Sequence, residues 1–230
     1  MSPPRGDGGV ISTNRYVRAV GVLGIMIVLA ISVNTLFSTP KSSIGPDPGR
    51  PIPPFAVPLA AGTLSGDANV ATAAHQGSAG NLPACSVRGP QILNICQLYE
   101  RGPVALALIV NDPQCDGVLA TLHLALPSYP GLQAAAVVIR GSRAGARRLA
   151  LSPAGAGVQL GYDRDGALRA GFRLATCPQI TFILPGGAVD GRPLLKTPTR
   201  AQLDARLSAL YAGARARGWK PPPPAATARR

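Results

Sequence analysis

The run Val104–Val110 in "PVALALIVN" is the strongest constraint on the fold. Seven consecutive apolar residues stand between Gly102-Pro103 and Asn111-Asp112-Pro113. An unbroken run this short, closed at both ends by turn residues, predicts a strand buried on both faces, as in a parallel sheet. A helical pattern follows. In "GVLATLHLAL" (117–126), Val118, Leu119, Leu122 and Leu126 recur at helical spacing, and Pro127 and Pro130 close the segment. "LQAAAVVIRG" (132–141) reads as a second buried strand. The crossover between the two strands is long enough for parallel pairing.

The rest of the chain extends this unit. "GVQLGYD" (157–163) is a short third strand, and "RDGALRAGFRLA" (164–175) a turn with a short helix. "QITFILPGGAVDGRPL" (179–194) places two strands about a Pro-Gly-Gly turn, a hairpin signal. "TPTRAQLDARLSALYAGARARG" (197–218) is an amphipathic helix with Thr199 as N-cap and Leu203, Leu207 and Leu210 as its apolar stripe. Residues 218–230, rich in proline and arginine, read as a disordered basic tail. Strand, helix, strand, hairpin and final helix together predict an α/β fold with a mixed central sheet flanked by helices.

Before this domain, Ala19–Phe37 is a 19-residue apolar stretch interrupted only by Ser32, Asn34 and Thr35. That is close to the length that crosses a bilayer, so one transmembrane helix over 19–37 is expected. Arg5, Arg15 and Arg18 precede it. The positive-inside rule then keeps residues 1–18 in the cytoplasm and exports residues 38–230. The rival, a cleaved signal peptide, would have a shorter apolar region and an A-x-A-like site, and "SVNTLFSTP" offers none. The expectation is a single-pass protein of the cell membrane that meets the lipid bilayer through 19–37. The six prolines of residues 38–54 predict an extended spacer that holds the domain off the membrane.

Composition narrows the function classes. The net charge is +13, and only Lys41, Lys196 and Lys220 are lysines. The densest basic groups, Arg143/Arg147/Arg148 and the tail Arg215, Arg217, Lys220, Arg229 and Arg230, carry no interleaved aromatics, so no nucleic-acid partner is expected. The two histidines, His75 and His123, stand apart from the cysteines, and His123 lies two helical turns beyond Cys115. The spacings supply no metal site and no Cys–His nucleophile pair. "GYDRDG" lacks the remaining ligands of a calcium loop, and no Gly-Lys-Ser/Thr follows "LPGGAVDG". No cofactor is implied.

Three stretches carry a resemblance to the redoxins and membrane-anchored thiol-disulfide oxidoreductases of bacteria. "GRPIPPFAVPLAAGTLSG" is similar to their N-terminal hairpin segment, and "VALALIVNDPQCDGVLATL" resembles the strand that leads into a Cys-x-x-Cys on the first helix. "FRLATCPQITFILPGGAVDG" resembles the segment holding the family's cis-proline, here Pro178. The resemblance covers roughly residues 49–212 and implies a thioredoxin-like domain over 55–217, with an insertion at about 67–102. The chain departs from the pattern at one place. "CDGV" has Val118 where the second cysteine belongs, and Gln114 replaces the usual tryptophan before the first.

All four cysteines, Cys85, Cys96, Cys115 and Cys177, lie beyond the expected anchor, where disulfides persist. Cys85 and Cys96, ten residues apart in the insertion, are candidates for a structural disulfide. In the fold that the resemblance implies, the proline loop faces the cysteine of the first helix, so Cys115 and Cys177 become neighbours. A bond between them, a loose thiol pair and cross-pairing with the insertion all remain open. The implied site is Cys115, Cys177 and Pro178, and its partners are protein thiols or disulfides of the cell envelope. The expected function is thiol-disulfide exchange through Cys115. The alternative is a thioredoxin-like binding or scaffold module of the envelope without redox chemistry.

Overall fold

The computed structural model describes residues 17, 20–29, 44–64, 69–70, 82–110 and 112–223. The chain forms two compact units, Met1–Ser42 and Ser43–Arg230. In the first, residues 20–29 are helical and their apolar side chains stand exposed. Among the described residues no helix is long and apolar enough to cross a membrane. Residue 19 and residues 30–37 of the predicted span lie outside the described residues.

The second unit contains, in chain order, β1 (Phe55–Pro58), β2 (Asn69–Val70), β3 (Ile92–Asn94), α1 (Ile95–Arg101), β4 (Val104–Ile109), α2 (Pro113–Ala125), β5 (Gln133–Ile139), α3 (Arg143–Leu151), β6 (Gln159–Asp163), α4 (Leu168–Gly171), β7 (Gln179–Ile183) and α5 (Arg200–Ala216). The main sheet has the order β6-β5-β4-β7. β4, β5 and β6 are parallel, and β7 runs antiparallel to β4. A small antiparallel sheet, β2-β1-β3, meets β6 through the bridge Leu59↔Gly161.

The apolar run of β4 serves both faces by alternation. Ala105, Ala107 and Ile109 belong to the core cluster that holds Leu119 and Leu122 of α2 and Leu203 and Leu207 of α5. Val104, Leu106 and Leu108 belong to the opposite cluster, with Phe55, Leu93, Leu98 and Phe172. β5 repeats the division, with Ala134, Ala136 and Val138 on one side and Val137 and Ile139 on the other. The small residues on the α2/α5 side leave room for those helices to approach the sheet. α5 begins at a capping box, in which the Thr199 side chain accepts from the Gln202 N–H and the Gln202 side chain accepts from the Thr199 N–H.

Four expectations are corrected. The predicted insertion over 67–102 is narrower, because β3 and α1 are part of the core: Leu93, Ile95 and Leu98 are fully or almost fully buried. From Gly45 on, the predicted spacer is docked on the domain, with Arg173 donating to Gly45 O and pairing with Asp47. The Gly49 and Ile52 N–H groups donate to the Val189 and Gly187 carbonyls, both at 2.8 Å, and Val189 N–H donates to Arg50 O at 2.9 Å. The predicted tail is held at its start by Trp219, edge-on to Tyr211 at 5.3 Å. Residues 224–230 lie outside the described residues. The second arm of the predicted hairpin forms isolated bridges, Ile183↔Val189, Ile180↔Leu194 and Pro51↔Ala188, in place of a continuous strand, and α3 is not predicted from the sequence pattern.

Cys85 and Cys96 are joined by a disulfide, with Cα atoms 5.4 Å apart. Asn94 binds the same two segments. Its side-chain oxygen caps α1 by accepting from the Cys96 and Gln97 N–H groups, while Nδ2 donates to the Ala84 and Val87 carbonyls, each at 2.8 Å. The disulfide closes a loop of about 12 residues, which limits the unfolded chain by roughly 3 kcal/mol. Replacing both Cys85 and Cys96 by Ser is expected to lower the urea midpoint by that amount of stability, with a somewhat steeper transition because the unlinked unfolded chain exposes more surface.

Candidate functional site

Sheet register accounts for the placement of the other two cysteines. β4 and β7 pair antiparallel up to Leu108↔Gln179. Two residues further along each strand, outward from the ladder, stand Val110 and Cys177. The Val110 N–H donates to Cys177 Sγ at 3.2 Å, which marks that proximity. Past Val110 the chain turns into α2, which Pro113 opens without loss because its missing N–H would have no helical partner there. Cys115 sits in the first turn of α2, its N–H donating to Asp112 O at 2.8 Å.

Cys115 and Cys177, 62 residues apart in sequence, are joined by a disulfide, with Cα atoms 5.5 Å apart. The Cys177–Pro178 peptide bond is cis. The two sulfurs occupy unequal places. Cys115 is 3 % exposed and part of the core beneath α2, whereas Cys177 is only partly buried and packs against the edge of that core. Val118, which stands where a second helix cysteine would be, is fully buried. The Cys85–Cys96 bond belongs to the opposite face of the sheet, where Cys96 lies in the cluster of Leu93 and Leu98.

Cys177 lines an open cleft of about 450 Å³, whose other walls include Val110, Ile139, Arg140, Arg169, Leu174 and Thr176. The cleft lies at the C-terminal end of β4 and β5, the edge at which α/β sheets commonly bind ligands. Arg140 follows β5 directly and has φ 62°. Gly166, at φ 74°, leaves the space the Arg140 side chain fills: a Cβ there would meet Arg140 Nε at 2.8 Å. Asp163 builds the turn that carries Arg169. It is fully buried and accepts from the Gly166, Ala167 and Leu168 N–H groups at 2.9–3.2 Å. Burial pushes its carboxyl up, and those three N–H bonds pull it back down.

The charge on the other sulfur's side is opposite. Asp112 and Asp116 flank Cys115. Burial, and then the neighbouring Asp112, push the Asp116 carboxyl above the ordinary range, and its Oδ1 is buried without a hydrogen-bond partner among the described residues. His123 is occupied elsewhere, with Nδ1 2.7 Å from Ala156 O. His75 lies outside the described residues. Among the described residues no cluster of His, Cys, Asp and Glu could hold a metal ion.

No protein-family model matches the sequence, and no curated protein matches it significantly. Solved structures do match. One is a protein assigned as the thiol:disulfide interchange protein DsbE of Chlorobium tepidum, with a TM-score of 0.52 and 16% identity over 71% of this chain and 98% of that one. A second is a protein assigned as a protein disulfide isomerase of Bacteroides thetaiotaomicron, with a TM-score of 0.53 and 13% identity over 77% of this chain and 99% of that one. The domain has a thioredoxin-like fold. Sequence reading singled out Cys115, Cys177 and Pro178, and the thioredoxin-like domain brings all three together. It missed Arg140 and Arg169. The available signal was position, since "IRG" closes a predicted parallel strand and residues there border the functional edge of such sheets.

Asp116 gives a test with a definite sign. Its proton is held more tightly in the folded state, so stability falls as pH rises from the ordinary carboxyl value through the raised one. Above that window the charge is a standing cost. Asp116→Asn is therefore expected to raise the melting temperature near pH 7 by roughly 1–2 °C. The gain is expected to vanish near pH 2.5, where the carboxyl is protonated in both states. Thermal melts at the two pH values check it.

Proposed function

We propose that the protein is a thiol-disulfide oxidoreductase whose working couple is Cys115–Cys177, with protein thiols or disulfides of the cell envelope as its substrates. The observation that carries this reading is the disulfide between the first turn of α2 and the cis-proline loop, beside an open cleft. A helix N-terminus stabilises the thiolate of Cys115, and the Val110 N–H does the same for Cys177. Stabilising the reduced form makes a disulfide more oxidising. Cys96 and Cys115 are alike in being buried in the first turn of a helix, so the two bonds differ at the other sulfur: Cys177 accepts from the Val110 N–H and lines the open cleft.

The same reading places the domain outside the cytoplasm on an anchor over residues 19–37. It is supported by the pairing of all four cysteines, which an oxidising compartment favours, and by the exposed apolar side chains of residues 20–29. The second reading, a binding module without redox turnover, is favoured by the burial of Cys115 and by Val118 in place of a helix cysteine.

Graded reduction separates the two readings. In a dithiothreitol titration with alkylation and peptide mapping, Cys115–Cys177 is expected to open first, at a potential at least about 30 mV above Cys85–Cys96, roughly tenfold in the two-electron equilibrium constant. A Cys115–Cys177 bond that opens last, or only in denaturant, would establish the binding module instead.

A further inference from the structure

The two sulfurs of the couple differ in access and in the charge around them. Cys115 is buried and flanked by Asp112 and Asp116. Cys177 is partly exposed in the wall of a cleft that Arg140 and Arg169 also line. Both arginines are exposed, and neither guanidinium has a hydrogen-bond or ion-pair partner among the described residues. Arg200, by contrast, is tied to Asp204 and Arg173 to Asp47. Val110, Ile139 and Leu174 add apolar lining to the same cleft. The volume, about 450 Å³, falls in the range that holds a small ligand or a few residues of a peptide.

Attack on a disulfide goes to the accessible sulfur and requires a thiolate, which is an anion. Aspartates repel that anion from Cys115, and arginines draw it toward Cys177. We propose that the substrate exchanges sulfur with Cys177 while Cys115 is the buried leaving thiol, and that the cleft selects thiols carrying carboxylates beside the sulfur. This deepens the redox reading above and rests on it.

The step balances as follows. A substrate thiolate attacks Cys177 Sγ and forms a substrate–Cys177 disulfide. The Cys115–Cys177 bond breaks, and Cys115 leaves with the electron pair and is protonated from water. A second substrate thiolate attacks the substrate sulfur of the mixed disulfide, and Cys177 leaves with the electron pair and is protonated in turn. Two thiols are oxidised to one disulfide, and the protein disulfide is reduced to two thiols. The protons lost by the substrate are matched by those gained at Cys115 and Cys177.

The test uses the full chain and three small thiols of different charge: mercaptosuccinate, 2-mercaptoethanol and cysteamine. The rate at which each opens Cys115–Cys177, at equal thiolate concentration and low salt, is divided by its rate on a small neutral disulfide, so that intrinsic nucleophilicity cancels. Mercaptosuccinate is expected to be about tenfold faster than cysteamine. The Arg140→Gln/Arg169→Gln double variant is expected to shrink that ratio to within about twofold, as is high salt. A peptide with Glu on both sides of its Cys, run beside mercaptosuccinate, tells a protein source of the acidic thiol from a small-molecule source by which reacts faster.

The attacked sulfur is read from single variants offered the disulfide of mercaptosuccinate. Cys115→Ser, which leaves Cys177, is expected to form the mixed disulfide at least about tenfold faster than Cys177→Ser. Each rate is divided by that of the same variant in denaturant, so a folding defect shows as a ratio near one. Equal rates, a faster Cys177→Ser protein, or no charge preference would overturn this proposal and leave the redox reading standing. A Cys115–Cys177 bond that no thiol opens without denaturant would remove both.

Discussion

The antiparallel pairing of β7 against β4 is the constraint on which the site depends. It ends at Leu108↔Gln179, and its continuation brings Val110 beside Cys177. Cys115 reaches the same point only because α2 starts directly after β4. A register shift of one residue in β7 would turn Ile180 and Phe182 out of their core cluster. The aliphatic packing that fixes the register therefore fixes the distance between the sulfurs as well. The couple is specified by the core rather than by local loop sequence.

Much of that core was legible from residue pattern. The runs that became β4 and β5 are apolar without a break because both faces are covered, and α2 and α5 carry leucines at helical spacing. What stayed hidden follows a common physical cause: elements too small or too polar to show a period. β3 has three residues, so Leu93 and the first turn of α1 read as part of an insertion. α3 buries only Gly145 and Ala146, and its sequence, RAGARRLAL, shows no stripe of large apolar side chains. The segment 49–52 reads as a spacer because proline excludes helix, yet proline does not prevent the extended strand-like contact it makes with 187–189.

The site divides along the same line. Cysteine identity and the Cys177-Pro178 dipeptide are visible in the sequence, and the resemblance of the surrounding stretches brings them together. Arg140 and Arg169 carry no such signal among 20 arginines spread through the chain. Their value comes from two turns that only the folded chain reveals: the left-handed residue after β5, and the loop that Asp163 holds by three backbone N–H bonds. A buried carboxylate in that role costs desolvation, and the bonds it accepts offset the cost. The benefit is a fixed backbone under Arg169.

Moving the partner cysteine from the helix to the proline loop also changes the chemistry available to the couple. Two cysteines in one helical turn draw on the same few N–H groups and the same end of the helix dipole, so stabilising one thiolate leaves less for the other. Here the donors are separate. Cys115 has the start of α2, and Cys177 has the Val110 N–H from the end of β4. The surrounding charge is divided as well, aspartates on one side and arginines on the other. In the exchange proposed above, the two sulfurs are tuned independently: the helix side sets how readily Cys115 leaves, and the cleft side sets which thiol arrives. Val118 fits this division. With the partner of Cys115 supplied from the loop, the position of Val118 on the helix is free to fill the core with a branched side chain.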